Sequence, residues 1–327
     1  MISYTRRVQL TGGSTYILSL PSKWVKENKI TKGSEITIED DKGKLLISYG
    51  EDRKAENVKR INIDGKVNLE HFQRAITSLY ISDFDTLIIT SSQYIDQPLR
   101  EAVKRFARLV MGIEIFEESS RSVVLQNVLD SASFPLSNAI RRMSLNVETM
   151  IEDVISGINE SDDKLLDSVI NRDDEVDRYQ LYVYREVKSG KSENENSVFY
   201  LIFSRILERM ADHAVNICKL WKMREDINQE NKDSFVSFLK TALNMYRKAS
   251  EAFYARKFDE LNGIIERKPE LINKKQEILT SIHEPAFSYT ISSSSEEVLR
   301  IALYATDIAE LAMDMILGNQ EQFSLTS

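Results

Sequence analysis

The chain has 327 residues, 42% of them hydrophobic and 29% charged, enough apolar side chain for the cores of about two domains. A formal net charge of −8 excludes a molecule that binds polyanions with its whole surface, and a single cysteine excludes an intramolecular disulfide. No apolar stretch follows Arg6 and Arg7, and the longest apolar runs, such as VFYLIF at 198–203, fall well short of the roughly 18–20 residues of a membrane span, so a cytoplasmic protein with no membrane insertion is expected.

In chain order, residues 1–50 predict a β–β–short helix–β–β module. RRVQLTGGSTYILSLP alternates around Gly12-Gly13, PSKWVKENKI opens a short helix at Pro21, and ITIEDDKGKLLIS forms a hairpin. About fifty residues with few large apolar side chains bury little on their own, so burial between chains is expected. This head is slightly basic, and the acidity lies downstream. Residues 57–128 alternate strand and helix: KRINID, LEHFQRAITSLYI, DTLIIT, LREAVKRFARLVMG closed by Gly112, then IEIFEE and SVVLQNV. That order predicts a small α/β connector domain, a sheet with two covering helices, and no Gly-rich phosphate loop follows its strands.

From 130 to 319 only helical periodicity remains, in segments near 133–157, 162–189, 197–223, 232–256, 258–283 and 295–318. They divide as three plus three, about 130–223 and 232–319. Ile170–Val176 can be laid against Ile265–Leu271, and Glu208–Asp212 against Glu310–Asp314, which makes an internal duplication the economical reading.

Two acidic motifs carry the chemistry of this half. Asp173 and Asp177 in NRDDEVDRYQLY, and Glu208 and Asp212 in SRILERMADHAVNICKLW, are each four residues apart, on one face of a helix. Side by side, the two helices would bring four carboxylates together, as a hard-cation site or a costly cluster of like charges. The plainer reading is the wet stripe of an amphipathic helix, since Arg205, Glu208, Asp212, Asn216 and Lys219 share one face. His213 points about 100° away from Asp212 and reads as a capping or packing residue. Cys218 reads as a small buried hydrophobe. No arrangement of His, Ser or Lys suggests a nucleophile or a general base, so no enzymatic activity is expected.

The phrases RDDEVDR at 172–178 and RILERMADHAVNI at 205–217 resemble the PhoU family of phosphate-uptake regulators. The resemblance implies an all-α fold of paired three-helix bundles over 130–319. It also implies a surface metal cluster of iron, zinc, manganese or magnesium on Asp173, Asp177, Glu208 and Asp212, and partners such as a phosphate transporter component or a kinase. In the second repeat only Glu310 and Asp314 persist. Lys268 and Ile272 occupy the other acidic positions, so Lys268 is expected to neutralise the remnant in place of an ion.

The head, through RRVQLTGGSTYILSLPSKW and ITKGSEITIED, resembles the AbrB-type swapped-hairpin modules of SpoVT-like and MazE-like proteins. That resemblance implies a homodimer whose interleaved hairpins close one β-barrel, with Arg6 and Arg7 contacting DNA and Lys23 and Lys26 as supporting charges. Read on their own, the same arginines serve equally as edge charges that discourage aggregation. The whole is thus expected to be a multidomain α+β protein. It would be either a DNA-binding transcriptional regulator of phosphate uptake or a dimeric adaptor that does not touch DNA.

Overall fold

The computed structural model describes residues 3–41, 43–49, 56–130, 133–190, 195–224, 227–281 and 285–318. The expected boundaries at 1, 50 and 319 lie outside these residues. The chain forms two compact units, 1–57 and 58–327.

The first unit contains two antiparallel hairpins and a short helix. β1 (Gln9–Thr11) pairs with β2 (Thr15–Ile17) around Gly12 and Gly13, whose φ of 66° and 86° only glycine adopts without strain. α1 (Ser22–Glu27) follows Pro21. β3 (Ile36–Asp41) pairs with β4 (Lys44–Tyr49) in a register that sets Ile38 opposite Ile47. The two hairpins are separate two-stranded sheets, with no closed barrel among the described residues. None of those residues in the head is buried. Val8, Leu10, Tyr16, Ile38, Leu45 and Leu46 are each 58–74% exposed.

The second unit begins with a mixed four-stranded sheet. β5 (Val58–Ile63) runs parallel to β6 (Thr86–Ser91), and β7 (Ile113–Glu118) and β8 (Ser122–Asn127) complete the order β5-β6-β8-β7. α2 (Leu69–Ile81) is capped by Asn68 accepting from the His71 amide, and α3 (Gln97–Leu109) by Asp96 accepting from that of Leu99. Phe72, Ile76 and Tyr80 of α2 and Leu99, Val103 and Phe106 of α3 build a core on Leu87, Ile89, Val123 and Leu125. Gly112 does not close α3, which ends three residues earlier with Val110 already extended. It makes the turn into β7 instead, at φ 77°, where a Cβ would meet Leu129 Cβ at 2.4 Å.

The rest of the unit is helical: α4 (Leu136–Glu160), α5 (Asp163–Ser189), α6 (Ser197–Lys222), α7 (Gln229–Ala255), α8 (Asp259–Ile265), α9 (Lys268–Ser281) and α10 (Pro285–Leu317). The structure differs from the sequence expectation in three ways. The helix expected over 258–283 is broken at Glu266–Arg267 into α8 and α9. The serine run at 292–295, expected to start the last helix, lies inside α10; Ser294 and Ser295 are wholly buried, and the helix opens at Pro285 as proline's fixed φ favours. The two sets of helices also share one continuous core rather than forming separate bundles, because α10 packs along both α6 and α7 and α4 packs on α7.

The α/β and helical layers are locked together. Leu181 of α5 packs into the core of the α/β layer, while Met111 and Leu129 pack against the helical core. Between them Arg185 of α5, 1% exposed, reaches Asp83 with Nε at 2.9 Å and Nη2 at 2.8 Å, and its guanidinium lies 5.1 Å from the centre of the Tyr80 ring.

Candidate functional site

The caps and the hydrophobic stripe of α5 fix where its acidic pair lies. Asp162 accepts from the amides of Lys164 (2.9 Å) and Leu165 (3.2 Å), which starts the helix, and Leu166, Val169, Val176 and Val183 face the core. Asp173 lies four residues after Val169 and three before Val176, so it falls on that inward stripe and is half-buried. Asp177 is one turn further along the same edge. On α6 the buried residues include Ser204, Leu207, Ala211, Ala214, Val215 and Cys218. Glu208 and Asp212 therefore border the buried stripe rather than lying on the wet face. α5 and α6 pack directly against each other.

The four carboxylates feel one another. Asp177 is pushed up to about 7, first by burial, then by Asp173, Glu208 and Asp212. Asp173 is raised to about 6 by burial and by Asp212, Asp174 and Glu208, with Lys219 opposing. Glu208 is raised by burial and by Asp212, against the pull of Arg205 and Arg209, which stand 3.6 Å and 3.8 Å from it. Asp173 Oδ1 and Glu208 Oε2 are buried without a hydrogen-bond partner. Oxygens of that kind are costly unless a cation or a proton satisfies them. Among the described residues, no three His, Cys, Asp or Glu side chains stand close enough to hold an ion together. The cluster is thus an electrostatic unit whose side chains do not close a coordination shell.

The second repeat is built differently. Lys268 Nζ lies 2.7 Å from Glu310 Oε1, so the expected ammonium contact to the acidic remnant is present. Glu310 and Asp314 are exposed, and Ile272 holds no charge near them. Sequence reasoning missed Asp307, one turn before Glu310 and half-buried, whose carboxyl is raised by burial and by Glu310. Its signal was the i, i+3, i+7 spacing of Asp307, Glu310 and Asp314. His213 turns away from the cluster, its Nδ1 2.5 Å from Glu297 Oε2 and its ring 5.6 Å from that of Tyr304. Cys218 is buried, and burial pushes its thiol up to about 12, leaving it unreactive at neutral pH.

In the head, Arg6, Arg7, Lys23 and Lys26 are all exposed. Arg6 donates to the Thr5 carbonyl at 3.0 Å and lies over the Tyr4 ring, and Lys23 stands 3.9 Å from Glu27. Arg7 and Lys26 make no ion pair among the described residues. All four cations are accessible, with Lys23 alone in an ion pair among the described residues, and accessible cations on so small a unit attract phosphate groups.

The PhoU domain signature matches residues 140–220, which span α4 to α6 and include all four carboxylates. Residues 140–220 are thus similar to PhoU domains. A second signature, antidote-toxin recognition MazE, bacterial antitoxin, matches residues 9–55 and so covers the head. Both resemblances read from the sequence therefore stand. In two strains of Caulobacter vibrioides, the phosphate-specific transport system accessory protein PhoU homolog is 28% identical over 129 residues. That match takes in 37% of this chain, and the chain spans 56% of the length of those relatives. The structure of the phosphate transport system regulatory protein PhoU from Streptococcus pneumoniae aligns with 57% of this chain and 96% of its own, at a TM-score of 0.50 and 14% identity. At that identity the likeness concerns the fold of the helical region, in which α4 to α6 carry the PhoU domain match.

Proposed function

We propose that this protein is a cytoplasmic, non-enzymatic regulator of phosphate uptake that binds DNA as a homodimer through its head and senses state through its PhoU domain. The observation that carries the reading is the union, in one chain, of a PhoU domain with a MazE-type head that leaves both apolar and basic side chains exposed. The exposed apolar residues are covered when two heads interleave their hairpins into one barrel. Arg6, Arg7, Lys23 and Lys26 then meet the phosphate backbone, with base-edge contacts supplying sequence preference.

In the same reading Asp173, Asp177, Glu208 and Asp212, which stand too far apart to close a coordination shell as they lie, would draw in around an iron, zinc, manganese or magnesium ion. Two helices offering only carboxylates suit hard or borderline cations, and the orphaned oxygens of Asp173 and Glu208 are the natural first ligands. The ion would supply the positive charge that four clustered carboxylates lack. Glu310 and Asp314 hold none, because Lys268 already answers Glu310.

The second reading is a dimeric adaptor that docks on a phosphate transporter component or a kinase without touching DNA. It is favoured by the name of the Caulobacter relatives, accessory proteins of a phosphate-specific transport system. Cells carrying Arg6→Ala/Arg7→Ala separate the two. The regulator reading expects phosphate-dependent control of transporter transcripts to be lost while the protein stays dimeric. Intact control in the double variant would hand the function to the adaptor.

A further inference from the structure

Acids outnumber bases in this chain, 51 to 43, and among the described residues its partly buried arginines are each matched with a carboxylate: Arg100 with Glu118, Arg172 with Asp153, Arg185 with Asp83, Arg224 with Asp163 and Arg267 with Glu270. Arg108 and Arg178 are exposed and lie outside that pattern. Neither has an ion-pair partner among the described residues, and both line one cleft of about 440 Å³ where α3, β7 and α5 meet. Arg108 comes from α3, one turn after Lys104, and Arg178 from the opposite wall. Lys104 is partly answered by Glu101 at 3.9 Å, and Glu114 is the one carboxylate lining the cleft, so positive charge dominates it. Ala107, Val110 and Ile113 supply an apolar floor.

The cleft is held open by the fold. Arg178 precedes Arg185 by two helical turns on the same face of α5, and Arg185 anchors that face to Asp83 and Tyr80 from within the junction. Tyr80 in turn donates to the Met111 carbonyl at 3.0 Å. The two arginines are thus carried on layers whose backbones are fixed to each other, so a ligand that bridges them has only their side chains to order.

We propose that this cleft binds a phosphate-bearing small molecule, its phosphate gripped between Arg108 and Arg178 and its organic body lying on the Ala107–Val110–Ile113 floor. Guanidinium forks match phosphate oxygens in pairs, which a lysine cannot reproduce. A mononucleotide-sized ester fits the volume. The site depends on neither the DNA reading nor the metal reading. Its position does tie it to the cluster, because Arg178 directly follows Asp177.

Calorimetric titration of the full-length protein tests this, with AMP in one arm and inorganic phosphate in the other. Arg108→Ala and Arg178→Ala should each weaken binding at least about tenfold. Arg105→Ala, an exposed neighbour on α3 outside the cleft, should leave it unchanged. AMP binding well above phosphate assigns an ester, and equal binding assigns the free anion; both support the site. Absence of binding in both arms, or affinity unmoved by both cleft variants, overturns it. Because both arginines are exposed, the variants should keep the wild-type melting temperature, which separates loss of binding from loss of fold.

Discussion

Asp177 and Asp173 are where single side chains carry the greatest consequence. Their folded-state pKa values, about 7 and about 6, stand above the ordinary 3.8. The folded protein therefore holds more protons than the unfolded chain between about pH 4 and pH 7, and its stability must fall as pH rises through that window. In chelator-treated protein the urea midpoint should drop steadily from pH 4 to pH 8. Asp177→Asn should flatten the slope and gain about 1 kcal/mol at pH 8, allowing for solvent screening of a side chain only half-buried. A wild-type midpoint that stays level over this range would contradict the electrostatic unit. The spacing of the four carboxylates was legible in the sequence. Their depth was not, because burial of Asp173 depends on which face of α5 the core selects, and a run rich in Asp and Glu reads equally as a wet stripe.

Among the elements, α5 has the most to hold: it presents half the carboxylate cluster and also clamps the α/β layer through Arg185. Asp83→Ala would strand a wholly buried guanidinium, and removing one partner of a buried pair costs about 3–5 kcal/mol. Chemical denaturation should show that loss, whereas the exposed pair Lys268–Glu310 should cost under about 1 kcal/mol when broken by Lys268→Ala. Equal losses in the two variants would mean that the junction is not the anchor described here. The order of strands and helices in the α/β layer, and the first three long helices, follow directly from alternation, periodicity and caps. The last two helices did not, because Pro285 and four serines look like a break when nothing in the local sequence reveals that the serines enter the core. The Arg185–Asp83 pair joins residues 102 apart, beyond the reach of any periodicity.

For the molecule as a whole, the head is the part that does not complete itself. Leu10, Tyr16, Ile38, Leu45 and Leu46 are exposed on paired hairpins, and in the proposed dimer a second copy would cover them. Sedimentation should give a dimer for the wild type and a shift toward monomer for Ile38→Glu, which places a charge opposite Ile47; a monomeric wild type would remove the swapped barrel from the account. The central proposal, that this chain joins a PhoU-like helical region to a DNA-binding head, is tested most directly by fluorescence anisotropy on duplex DNA from upstream of its own and neighbouring transport genes, titrated with salt. The account predicts tight binding to those duplexes over random sequence, weakening steeply as salt rises and collapsing in Arg6→Ala/Arg7→Ala. Binding that is absent, or indifferent to both arginines, would contradict it and leave the head as a dimeriser alone.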